Sequence, residues 1–249
     1  MSGGPRVTVV SPHFDDVPLS LGQSLSDGVL SRCDVRVRVA FGRTNWTTWT
    51  HPTERRAPAV SWWRTAEEQA AALSFGYRFT VARWPEALLR LGSGYSDRLL
   101  DTEASLAEDP LVVELAGWLT DVVSPSSAPS PDALLVAAGL GGHVDHRLLA
   151  LAASTVVPVT DTPICFYEDR PYSAYLDEQE IRRQLDPLGA DLERHPASGP
   201  ISARTQWRAK RCYPSQMSPY FDDAMRLDVS DGATEAVWFP RGRAPRWWG

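Results

Sequence analysis

Lysine is almost missing from this 249-residue chain: of 25 basic residues only Lys210 is a lysine. A G-x-x-x-x-G-K-[ST] phosphate loop is excluded, because no lysine stands where one would be needed. Cysteine is scarce too. Cys33, Cys165 and Cys212 are odd in number and far apart, with no C-x-x-C pair, so neither a disulfide framework nor a cysteine-rich zinc site is expected. No run approaches the ~18 consecutive apolar residues of a membrane span. Met1 to Arg6 lack the charged and then apolar pattern of a signal peptide. No G-x-S-x-G occurs, which removes the nucleophile elbow of serine hydrolases. Surplus positive charge is absent as well. Thirty-one acidic against 25 basic residues give a net charge of −6, which argues against a nucleic-acid binder, whose partner's phosphates require a basic face. These absences predict a reduced, cytoplasmic protein with no membrane span. Oligomeric state leaves no mark in the sequence.

The residues present describe an ordinary globular chain, 43% hydrophobic and 22% charged, long enough for one large domain, taken as 1–249. Apolar, β-branched runs predict strands at 7–11, 35–41, 79–82, 133–138 and 164–167. Helical spacing predicts helices at 18–30, 61–75, 110–123, 145–154 and 202–213, and one within 176–192. In the 61–75 helix Trp62, Ala66, Ala70 and Leu73 share a face. Residues 43–60 read as a long Trp-bearing loop, and 85–110 fit no clear period and suggest a second functional loop. Residues 124–131 read as a turn. Strands alternating with helices imply an α/β fold with a mostly parallel sheet.

In an open parallel sheet, sites lie just past the carboxyl ends of the strands. Two polar clusters fall there: His13-Phe14-Asp15-Asp16 after the first strand, and His143-Val144-Asp145-His146 after the 133–138 strand. Each alone reads as a polar turn, with Asp16 capping the next helix or Asp145 near a helix N-terminus. With both strands in one parallel sheet, the clusters lie on the same edge and their side chains can converge. Two histidines and a carboxylate make a three-ligand zinc set with an open position, leaving a carboxylate as general base and a histidine to stabilise a developing oxyanion or to protonate a leaving amine. The rival is a dinucleotide loop at Gly139-x-Gly141, but position 144 is Val144 where a third glycine belongs.

At these residues the chain resembles the PIG-L/LmbE-like family of zinc-dependent N-deacetylases. The family's His-Pro-Asp-Asp-Glu motif reads His13-Phe14-Asp15-Asp16-Val17, and its His-x-Asp-His motif reads His143-Val144-Asp145-His146. Weaker matches are Arg64-x-x-Glu67, Tyr167-Glu168-Asp169-x-Pro171-Tyr172 and Lys210-x-x-x-Tyr213-x-Ser215-Gln216. The resemblance implies an α/β fold of the Rossmann-like three-layer sandwich type with a mostly parallel sheet, and one zinc ion per chain, with another divalent metal able to take its place. The implied ligands are His13, Asp16 and His146. Asp15 is implied as general base, His143 as the group that stabilises the tetrahedral intermediate, and Asp145 as a carboxylate orienting a catalytic histidine. Phe14 and Val17 depart from the family's Pro and Glu.

The implied reaction is hydrolysis of the acetamide of an N-acetylglucosaminyl compound, releasing acetate and an amine. The high-arginine, low-lysine composition suggests a GC-rich bacterium, and with it a secondary-metabolite intermediate of antibiotic type. The alternatives are an amidase acting on a thiol-sugar conjugate and a non-catalytic sugar-binding protein on the same fold. The expected partner is a small N-acetylated glycoside. Its contacts are sought at Trp46 and Trp49 in the long loop, and at Arg64, Asp169 and Tyr172.

Overall fold

The computed structural model describes residues 4–92, 106–126, 129–189 and 191–249. In chain order the elements are β1 (Arg6–Ser11), α1 (Asp16–Asp27), β2 (Asp34–Val39), α2 (Ala57–Phe75), β3 (Arg78–Val81), the one-turn α3 (Ala87–Arg90), α4 (Pro110–Val123), β4 (Ala133–Ala137), α5 (Val144–Val156), β5 (Ile164–Tyr167), α6 (Glu178–Leu185), β6 (Leu192–Pro200), α7 (Ala203–Cys212), α8 (Pro219–Ser230) and β7 (Thr234–Pro240). They build one seven-stranded sheet in the order β3-β2-β1-β4-β5-β7-β6. The first five strands are parallel, while β7 runs antiparallel to β5 and β6 antiparallel to β7. The fold is α/β with a mostly parallel sheet, as expected.

Successive strand side chains point to opposite faces, so each buried strand feeds two cores. Val10, Leu134 and Val136 pack with Leu115 and Leu119 of α4 and Leu148 and Leu149 of α5. Val7, Val9, Leu135 and Ala137 pack with Leu21 of α1, Phe75 of α2 and Ala209 of α7. The chain leaves β1 toward β2 on one side and takes up β4 on the other. The gap between the carboxyl ends of β1 and β4 is therefore the point where strand order reverses, the place where such sheets bind ligands.

Several elements differ from expectation. β6, α8 and β7 are additional to the predicted set. β6 contains Pro196, Gly199 and Pro200 and shifts register between the two prolines, which a sheet tolerates at its edge. α2 begins at Ala57, earlier than the expected 61. Its Trp62–Ala66–Ala70–Leu73 face points to solvent, with Trp62 70% and Leu73 78% exposed. The buried face instead carries Val60, Arg64, Glu67, Glu68, Ala71 and Phe75. Much of the second functional loop expected at 85–110, namely 93–105, lies outside the described residues; the part before it forms α3. Residues 127–128 of the 124–131 turn lie outside them as well. Among the described residues, no helix is long and apolar enough to cross a membrane.

Candidate active site

The polar segment after β1 turns directly into α1. Ser11 Oγ donates to the His13 carbonyl at 2.5 Å, and Asp16 Oδ2 accepts the His13 N–H at 2.6 Å. Asp15 occupies the cap position with φ 137°, a region that residues with a Cβ rarely adopt. Its side chain does not cap the helix. Arg64 of α2 holds it, donating from Nη2 to the Asp15 carboxylate at 2.8 Å and to the Phe14 carbonyl at 3.3 Å. This buried ion pair offsets a backbone strain of about 1–3 kcal/mol. Phe14 and Val17 are buried in the core.

After β4 the chain turns through Gly139, Gly141 and Gly142, with φ of 81°, 74° and 82°. A Cβ on Gly141 would lie 2.4 Å from Cβ of Tyr172, so close approach as well as backbone sign demands glycine there. The turn delivers His143 as the cap residue of α5 and His146 in its first turn.

The two clusters meet. His13 Nδ1 and His146 Nε2 are 3.2 Å apart. Asp16 Oδ2 is 3.7 Å from His13 Nδ1, and Asp16 Oδ1 is 3.5 Å from His146 Nε2. Ligands of a tetrahedral zinc with bonds of about 2.0–2.2 Å lie about 3.3–3.5 Å apart, so the three groups fit one ion. Each imidazole turns its other nitrogen to a carboxylate: His13 Nε2 to Asp145 Oδ2 at 2.9 Å, and His146 Nδ1 to Asp169 Oδ1 at 2.6 Å. Such carboxylate partners fix the ring orientation and raise the basicity of a metal-binding histidine.

His143 joins a second candidate set, since nitrogens of His13, His143 and His146 fall within 4.8 Å of one another. The Asp16 set is tighter. In addition, His143 Nδ1 accepts the Asp145 N–H at 3.2 Å, which leaves the proton of the neutral ring on Nε2. Burial, then the neighbouring His13 and His146, push the His143 pKa well below the usual histidine value. The geometry presents His143 as a neutral hydrogen-bond donor.

The remaining charges surround the set with negative potential. Burial raises the Asp15 carboxyl to about 6 against the opposing pull of Arg64. For Asp145, burial is outweighed by the His13 hydrogen bond and by the charges of His13 and Arg90, whose Nη2 is 2.6 Å away, and the carboxylate stays ionised. His146 is pushed up to about 9, with Asp16 and Asp169 overcoming burial. A field that holds a proton on His146 equally favours a divalent cation in its place.

These groups floor a cavity of about 510 Å³. Trp46, Arg64 and Tyr172 line it. Trp49 does not: it is 55% exposed and packs edge-on against Trp63 at 5.5 Å. Arg64 is buried and committed to Asp15. Asp169 is no rim residue either. It is buried behind His146, with its second oxygen accepting the Leu140 N–H at 3.0 Å. Asp145 aims its carboxylate at His13, and touches His143 only through its backbone. Glu86, Tyr175 and Tyr220 line the cavity without having been singled out by the sequence. The weaker motifs act together: Glu67 accepts from Ser215 N at 2.9 Å and Ser215 Oγ at 2.7 Å, and the Ser215 carbonyl accepts from Thr48 N at 2.7 Å, pinning the Trp46 loop.

No family model matches the chain. It is 29% identical over 182 residues, 72% of its length, to a 2'-N-acetylparomamine deacetylase of Streptomyces fradiae, and the match spans 62% of that relative. Among solved structures, the zinc-inhibited form of teicoplanin deacetylase superposes with a TM-score of 0.66 at 20% identity, covering 94% of this chain and 97% of that one. A 4-carboxy-2-hydroxymuconate hydratase of Pseudomonas putida superposes with a TM-score of 0.55 at 12% identity, over 97% and 98% of the two chains. One fold thus carries a deacetylase and a hydratase, and structural likeness at these identities speaks for the fold alone. The His-x-Asp-Asp and His-x-Asp-His motifs meet at the switch point, and the chain is similar in sequence to a deacetylase.

Proposed function

We propose that the protein is a zinc-dependent N-deacetylase that hydrolyses the acetamide of an N-acetylglucosaminyl or related amino-sugar compound of bacterial secondary metabolism, releasing acetate and a free amine. The observation that carries this reading is the position of Asp15, which adjoins the His13–Asp16–His146 set and is held by Arg64 rather than by the helix it precedes. The sequence relative, a 2'-N-acetylparomamine deacetylase by name, supports the substrate class. The three cysteines are free, in keeping with a reducing cytoplasm.

In this reading His13, Asp16 and His146 hold the zinc, oriented by Asp145 and Asp169. When bound, zinc supplies Lewis acidity toward an amide carbonyl and lowers the pKa of water. Asp15 takes the proton of the attacking water. Its carboxyl, raised to about 6, then returns that proton to the departing nitrogen as the C–N bond breaks. The Nε2–H of His143 donates to the oxygen on which negative charge develops. A neutral His143 is a poor proton source, which leaves the protonation of the amine to Asp15.

Metal analysis, with acetate release from a panel of N-acetylglucosaminides before and after chelation, tests the reading. The expected result is about one zinc per chain and activity that is lost on chelation and restored by zinc. Metal-free protein, or activity that chelators leave unchanged, removes the zinc deacetylase. Cleavage of a larger acyl group without acetate release reassigns the chain as an amidase.

A further inference from the structure

The outer half of the cavity is a wall of rings. Tyr175 and Tyr220 stack with centroids 5.1 Å apart and 22° between planes, and the Tyr175 hydroxyl donates to the Tyr220 carbonyl at 3.1 Å. Tyr172 continues the series inward, 6.4 Å from Tyr220 and 5.8 Å from His146. The ladder runs from the metal-binding set to two tyrosines that stay 42% and 45% exposed. Aromatic side chains contribute most when both ring and edge are covered, so two stacked, half-exposed rings lining a cavity of about 510 Å³ call for an occupant.

Charge decides which occupant. The charged side chains of the cavity sit on its floor, at the two clusters, Arg64 and Glu86. Among the described residues the outer wall carries none. Asp222 and Asp223, which follow on α8, are paired with Lys210 and Arg226. Among the described residues an aglycone bearing ammonium groups finds no free carboxylate at the wall, whereas an uncharged planar one finds a surface to stack on.

We propose that Tyr175 and Tyr220 form an aglycone subsite that selects an uncharged aromatic ring attached to the amino sugar. The proposal rests on the deacetylase reading above for the sugar it extends from. It is tested with three N-acetyl-β-glucosaminides that differ only in aglycone: methyl, phenyl and aminoethyl. The expected kcat/KM for the phenyl compound exceeds that for the methyl compound by about five- to ten-fold, through KM, with the aminoethyl compound no better than methyl. Tyr220→Ala and Tyr175→Ala bring the phenyl-to-methyl ratio toward one, and Tyr220→Phe keeps it. A ratio near one in the unaltered protein, or one unmoved by Tyr220→Ala, overturns the subsite. If no N-acetylglucosaminide is turned over, the deacetylase reading fails separately, and calorimetric binding of phenyl β-glucoside, which has no acetamide, tests the subsite alone. Binding weakened several-fold by Tyr220→Ala and kept by Tyr220→Phe supports it; equal or undetectable binding overturns it.

Discussion

Asp169 Oδ1 stands 2.6 Å from His146 Nδ1, and both side chains are buried. The carboxylate joins the end of β5 to the turn after β4, because its other oxygen holds the Leu140 N–H. Removing its charge leaves His146 with a weaker acceptor and a less basic ring. Asp169→Asn is expected to lower zinc affinity by about 10- to 100-fold, read by competition with a chromophoric chelator, with activity recovered at high zinc. Unchanged affinity would detach His146 from the metal or Asp169 from its support.

In the proposed mechanism Asp15 moves a proton and does not hold the ion. Asp15→Asn keeps the size and the contact with Arg64 but cannot accept the proton of water. Turnover is expected to fall by about 10²- to 10⁴-fold with zinc content unchanged, measured by acetate release and metal analysis on the same preparation. Full turnover in the variant would hand the base role to another group.

The two candidate ligand sets differ in one residue each, and His143 decides between them. With Asp16 as third ligand, His143→Gln retains one zinc per chain and loses about 10²- to 10³-fold in kcat, the usual consequence of removing a donor to a developing oxyanion. If the variant instead loses its zinc, the three histidines form the ligand set and Asp16 has another task.

Much of this site was legible because parallel sheets place their chemistry by rule. His13 and His146 each follow an apolar run, and the strand pattern brings those runs to one edge. The place of Asp169 follows from the same rule, since it lies just beyond the 164–167 strand; seeking it as a substrate contact missed that its neighbours bury it. Helix α2 misled for a different reason. Hydrophobic periodicity assumes that the buried face is apolar, yet this helix buries Arg64, Glu67 and Glu68 against Asp15, Ser215, Tyr77 and Tyr213 and turns Trp62 and Leu73 outward. The Tyr175–Tyr220 stack was illegible because it joins a turn after β5 to a helix 45 residues later, and no local pattern predicted that helix.

Glu68 gives that buried polar face a measurable signature. Its carboxylate accepts from Tyr77 at 2.8 Å and from Tyr213 at 2.6 Å, deep beneath α2. Burial raises its pKa from an ordinary 4.5 to about 7 despite those two hydrogen bonds. Between these values the folded chain keeps a proton that the unfolded chain has released. Stability from this group is therefore full below about pH 4.5, falls as pH rises, and levels off above about pH 7. The loss amounts to about 3 kcal/mol. Urea denaturation of the unaltered protein and of Glu68→Gln at pH 5 and pH 8 isolates it, because other titrating groups are common to both. The stability difference between the two proteins should move by about 2–3 kcal/mol in favour of the variant at the higher pH. A difference that does not change with pH would mean that Glu68 is already ionised at pH 5 in the folded chain, with its two tyrosines stabilising the charge fully.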